Sequence, residues 1–208
     1  MQPNRRFRGG EPFLRPALLV IDVQNDFCPG GSLAIEQGDK VVGPLNRIID
    51  AFSSKGLPVL FTRDWHPQNH VSFLTRGGRW PPHCMQGTQG ARLHPRLKVP
   101  RASIVVDKGD NSEKEAYSGF QGTGLETILR ALDVDEVFLG GIATEYCVKE
   151  TAFDALRRGF RTSVMEDCVR AVEARKGDGR RALEQVEKHG ATLTTSGRVA
   201  ERLAGAQR

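Results

Sequence analysis

The sequence predicts an α/β protein: an open parallel sheet of about six strands with helices on both faces, a Rossmann-like three-layer sandwich. Three observations carry this expectation. Apolar runs of strand length alternate with segments of helical periodicity along the chain. The first of these runs, Ala17 to Asp22 (ALLVID), is apolar almost throughout rather than in alternate positions, as strands buried on both faces are. Polar residues follow the apolar runs, at the strand ends where open α/β sheets bind ligands.

The elements follow in order. Pro16 bounds the first strand upstream and the carboxylate of Asp22 ends it. Val41, Val42, Leu45, Ile48, Ile49 and Phe52 then recur at helical spacing, with Gly56 and Pro58 as the stop signal. Val59 to Thr62 is the second strand and Ser103 to Asp107 the third. The helix after it carries Leu125, Ile128, Leu129 and Leu132 on one face. Val137 to Leu139 is the fourth strand, and a Gly-Gly brake and a short turn deliver Cys147 into the first turn of a helix with Val148, Ala152 and Ala155 turned inward. Arg161 to Met165, a helix over Gly179 to Lys188, and Ala191 to Thr195 complete six strands.

The 208 residues suit one core, and no linker divides them. We expect a basic N-terminal extension over 1–16 and a single domain over 17–208, with a loop insertion around 64–100 rich in Pro, Gly, His and aromatic residues. The extension holds four arginines and one glutamate, so of the net charge of +5 only about +2 belongs to the body. That balance gives no reason to expect a nucleic-acid partner. Cys28, Cys84, Cys147 and Cys168 form no CxxC pair, which argues against a disulfide scaffold or thiolate zinc cluster and for a reducing compartment. No secretory signal or membrane span is legible, so a cytoplasmic protein with no membrane contact is expected; a homo-oligomer is left open.

Asp22, Asp64, Lys108 and Cys147 each lie at or after a strand end and converge on one crevice. Singly, Asp22 could cap a turn, Lys108 could be solvated and Asp64 could pair with Arg63 or a backbone N–H. Together they suggest nucleophilic chemistry: Cys147 attacks, Lys108 and the helix start lower its pKa, and Asp22 takes and returns the proton. No histidine follows a strand in register to serve as the usual base. Asp64, His66 and His83, with His70 as a fourth ligand or a supporting residue, suit one divalent transition metal, zinc, iron(II) or manganese.

Five segments, IDVQNDFCPGGSL, TRDWHPQNHVSF, WPPHCMQGTQG, Lys108-Gly109 with EAYSGF, and GGIATEYCV, closely resemble the nicotinamidase/pyrazinamidase family of the isochorismatase-like hydrolases over roughly residues 17–195. The resemblance implies an isochorismatase-like fold and hydrolysis of nicotinamide to nicotinate and ammonia through a cysteine thioester, with pyrazinamide as a further substrate and a place in NAD salvage. It implies Asp22, Lys108 and Cys147 as the catalytic triad and Asp64, His66 and His83 as metal ligands. It further implies a cis peptide before Ala143, an oxyanion hole from the N–H groups of Ala143 and Cys147, and a pocket lined by Phe27, Leu33, Trp80 and Tyr117. Glu145 departs from the family pattern, which has Asp there. The alternatives are a hydrolase of another small amide or carbamoyl compound, and a noncatalytic metal-binding relative.

Overall fold

The computed structural model describes residues 14–205, together with the backbone of residues 7–8 and 11–12. The last two segments, β1 (Phe7–Arg8) and β2 (Glu11–Pro12), pair antiparallel. Of the rest of the basic extension expected over 1–16, only residues 14–16 are among the described residues: Arg15 is hydrogen-bonded to Asp135, and Pro16 already belongs to a strand.

Six parallel strands form the central sheet: β3 (Pro16–Ile21), β4 (Val59–Asp64), β5 (Ile104–Lys108), β6 (Glu136–Ile142), β7 (Arg161–Arg170) and β8 (Thr192–Thr194). Their order is β5-β4-β3-β6-β7-β8. The chain therefore builds leftward from β3 to β5, then crosses to β6 on the other side of β3. This change of direction opens the crevice where such sheets hold ligands.

Side chains alternate along β3. Leu18 and Val20 face a core that includes Leu45, Ile48, Ile49 and Phe52 of α1 (Val42–Ser53). Ala17, Leu19 and Ile21 face a second core built with α2 (Leu125–Ala131), α3 (Lys149–Arg157) and α4 (Asp178–Lys188). All five of these β3 residues are fully buried, which is why the run reads as continuously apolar. A last helix, α5 (Ser196–Gly205), packs Val199 and Leu203 onto the α1 side. It is absent from the sequence reading because no strand follows to mark its end.

Two strand ends differ from expectation in a way that matters. Asp64 and Lys108 are the last residues of β4 and β5, not residues beyond them, and they stand opposite each other in the ladder. At β6, Gly141 lies so close to β3 that a Cβ there would come 2.0 Å from the Ile21 carbonyl oxygen, at φ 137°. Only glycine permits that approach, and it brings the turn carrying Cys147 directly beside Asp22.

Candidate active site and metal centre

Strand order sets the site. β5, β4, β3 and β6 are consecutive neighbours, so Lys108, Asp64, Asp22 and the turn after β6 reach one point at the carboxyl end of the sheet. Lys108 is 1 % exposed, so the solvated alternative fails. Its ammonium donates to Asp64 Oδ1, to the Ala116 carbonyl at 3.1 Å and to Cys147 Sγ at 3.5 Å. Three donors are thereby engaged. Asp22 Oδ2 lies 3.0 Å from the same nitrogen and forms a fully buried ion pair with it. Arg63, the other partner considered for Asp64, pairs instead with Asp107 at 2.7 Å.

Asp22 is held in the left-handed region at φ 49°, a conformation costing about 1 kcal/mol or more for a non-glycine residue. Thr62, in the neighbouring strand, donates its hydroxyl to Asp22 Oδ1 at 2.6 Å. That bond leaves Oδ2 facing Cys147 and Lys108.

The electrostatics correct one expectation. The sequence argues for a thiol with a lowered pKa, but burial pushes the Cys147 thiol well above its ordinary value, and Asp22 and Asp64 add to this; Lys108 offsets only part. Burial likewise raises the Asp22 carboxyl, with Lys108 opposing. Burial would lower Lys108, yet Asp22 and Asp64 outweigh it and hold the ammonium well above the usual lysine range. Burial thus pushes both the thiol and the Asp22 carboxyl toward their protonated forms, and the Lys108 cation opposes it at both.

Cys147 belongs to a wide five-residue turn, Thr144–Val148, that leads into α3. The Ala143 carbonyl accepts the N–H groups of Tyr146 and Val148, skipping that of Cys147 between them. Single π-type turns of this kind recur at functional sites. The peptide bond between Ile142 and Ala143 is cis.

Asp64 also faces the long loop. One ligand atom from each of Asp64, His66 and His83 lies within 4.8 Å of the others. The donors are arranged for a metal: His66 Nδ1 donates to the Gly109 carbonyl at 2.9 Å, and His83 Nδ1 to that of Pro81 at 2.8 Å. Each ring therefore keeps Nε2 free, and backbone carbonyls fix its tautomer. Gly109, at φ 67°, is required here, since a Cβ would come 2.5 Å from His66 Cε1. His70 does not join the set. Its Nδ1 accepts from the Ser72 hydroxyl at 2.7 Å, its Nε2 donates to the Lys114 carbonyl at 3.0 Å, and the ring stacks on His66 at 4.1 Å. Of the two roles considered for His70, the geometry gives it the supporting one.

Phe27, Leu33, Trp80 and Tyr117 line a small pocket with Asp64, His83, Ala143 and Cys147. Trp80 Nε1 donates to the Tyr117 hydroxyl at 3.1 Å, and burial pushes Tyr117 up to about 12. Ile35, Tyr146 and Val172 also line it and were missed. Tyr146 meets Trp80 edge-on at 5.2 Å and lies beside Tyr117 at 5.5 Å. Sequence reading also passed over two residues inside the quoted IDVQNDF motif. Gln24, fully buried, exchanges two hydrogen bonds of 2.8 Å with the Asp64 backbone. Asp26 accepts the Cys84 N–H at 2.7 Å and so pins the residue next to His83.

The isochorismatase domain model matches residues 16–198. The chain is 40 % identical over 200 residues to a nicotinamidase of Escherichia coli (strain K12), covering 86 % of this chain and 94 % of that one. It is 42 % identical over 169 residues to a nicotinamidase/pyrazinamidase of Mycobacterium tuberculosis (strain ATCC 25618 / H37Rv), covering 76 % and 88 %. Among solved structures, a pyrazinamidase of Pyrococcus horikoshii in complex with zinc superposes with a TM-score of 0.84 at 44 % identity, covering 87 % of this chain and 99 % of that one.

Proposed function

The chain belongs to the isochorismatase family, and we propose that it is a metal-dependent nicotinamidase converting nicotinamide to nicotinate and ammonia, with pyrazinamide as a second substrate. One observation carries the reading: Asp64 touches both halves of the site, bonded to Lys108 on the nucleophile side and 3.7 Å from His66 Nε2 on the other. Asp64 and His83 of the metal set and the Cys147 thiol line one pocket walled by the rings of Phe27, Trp80 and Tyr117.

We assign Asp64, His66 and His83 as the residues that hold a divalent transition metal, zinc, iron(II) or manganese. When bound, it would attract the pyridine nitrogen and so orient the ring. Cys147 would pass its proton to Asp22, and its sulfur would form a bond to the amide carbon. N–H groups of Ala143 and Cys147 would receive the charge on the carbonyl oxygen, since the turn leaves the Cys147 amide unclaimed by Ala143. Asp22 would then hand the proton to the amide nitrogen as the C–N bond breaks, because an unprotonated amide cannot depart. Water would attack the thioester, losing a proton to Asp22 and restoring the thiol as nicotinate leaves. Lys108 keeps two buried carboxylates and a transient thiolate in one small volume.

All four cysteines are free, and no helix among the described residues is long and apolar enough to cross a membrane. A cytoplasmic location remains part of the proposal.

Metal-loaded protein should release ammonia from nicotinamide and pyrazinamide in preference to carbamoyl compounds; loaded protein inert toward both amides would sink the reading. His83→Ala should lower metal affinity by at least about a hundredfold, with activity falling in parallel. Elemental analysis showing full occupancy in that variant would remove His83 from the ligand set.

A further inference from the structure

The chain just after β7 forms a thin partition. Val172 lines the substrate pocket with Phe27, Tyr146 and Cys147, and it also lines a second, wider cleft bounded by Glu36, Gln37, Arg170 and α4. With open space behind part of it, packing alone does not fix this wall. Polar ties do. Glu173, at φ 56°, receives the N–H groups of Gly177 and Gly179 on its carboxylate, anchoring the segment to the start of α4. Its own backbone N–H donates to Glu145 Oε1 at 3.0 Å.

Glu145 lies in the turn that presents Cys147, two residues before it, yet it does not line the substrate pocket. Its other oxygen, Oε2, is buried without a hydrogen-bond partner among the described residues. The carboxylate is thus held through Oε1, the oxygen that accepts the Glu173 N–H. Asp in this place would be shorter by one methylene, about 1.5 Å of reach, and would not span to residue 173 without moving the chain.

We infer that Glu145 is a positioning residue: its bond to the Glu173 N–H ties the nucleophile turn to Val172 and sets the width of the substrate pocket opposite the thiol. The kinetic consequence rests on the nicotinamidase reading; the tie itself does not.

The test combines hydrogen exchange over residues 171–179 with steady-state kinetics on nicotinamide and 5-methylnicotinamide. Glu145→Ala should speed exchange in this segment about tenfold, the scale of one charged hydrogen bond, and raise KM for nicotinamide by a similar factor with kcat little changed. Discrimination against the bulkier amide should weaken. Glu145→Gln keeps an acceptor oxygen and should match the parent protein. Glu145→Asp keeps charge without reach and should behave like Glu145→Ala, which preserves the test if the alanine variant fails to fold. Val172→Ala should raise KM by itself, and adding Glu145→Ala should contribute little more.

Unchanged exchange in both Glu145→Ala and Glu145→Asp would overturn the tie whatever the parent's activity. So would additive KM effects, or a loss confined to kcat. A parent protein inert toward nicotinamide but with the exchange response intact would support the tie and overturn the nicotinamidase reading.

Discussion

The Cys147→Ala protein should release no measurable ammonia from nicotinamide, a loss of at least about ten-thousand-fold, while binding the same amount of metal as the parent. The first part follows from the proposed chemistry. Without sulfur no thioester forms, and Asp22 has no thiol proton to relay. The second follows from geometry: of the proposed metal set of Asp64, His66 and His83, only Asp64 groups with Cys147, its carboxylate within 4.8 Å of the sulfur, so the two histidines keep their places when the sulfur is removed. Removing a buried sulfur leaves a small void costing about 1 kcal/mol, too little to disturb a pocket walled by Phe27, Trp80 and Tyr117. The variant should therefore still bind nicotinamide, measurable by calorimetry, with no turnover. Retained ammonia release would remove Cys147 from the mechanism. Loss of metal together with activity would show that thiol and metal set are one coupled unit.

Much of this arrangement is legible in the chain because it depends on strand ends. A buried parallel strand announces itself as an apolar run, and the polar residue that ends it has one address, the carboxyl edge of the sheet. Asp22, Asp64 and Lys108 are found that way, and the Gly-Gly pair before Cys147 marks the close approach to Ile21. What escapes is contact between segments far apart in sequence. Thr62 reads as one more strand residue until its hydroxyl is seen on Asp22, 40 positions away. Val172 follows β7 with no motif around it, and only the folded chain places it in the pocket wall. The thiol's pKa is the instructive miss. A helix start and a lysine both lower it, but the sequence does not show how deeply the site is buried, and burial outweighs them.

Lys108 carries the second large effect, this time on stability as well as rate. Lys108→Met should cost about 3–5 kcal/mol, because it leaves the buried carboxylates of Asp22 and Asp64 without the cation between them. For a domain of this size that is a fall in Tm of about 6–20 °C. Methionine fills similar volume, so a void is not the cause. Two further measurements identify the cause as charge. Adding Asp22→Asn should return part of the lost stability by removing one of the two uncompensated acids. Metal-loaded Lys108→Met should lose less than metal-free protein, since a dication beside Asp64 supplies positive charge that the lysine no longer provides. Ammonia release should fall at least about a hundred- to thousandfold in either case, as expected when a buried charge-stabilising group is removed. A Tm within about 2 °C of the parent would mean that the two acids share a proton instead of relying on the ammonium, and the proton relay assigned to Asp22 would have to be redrawn.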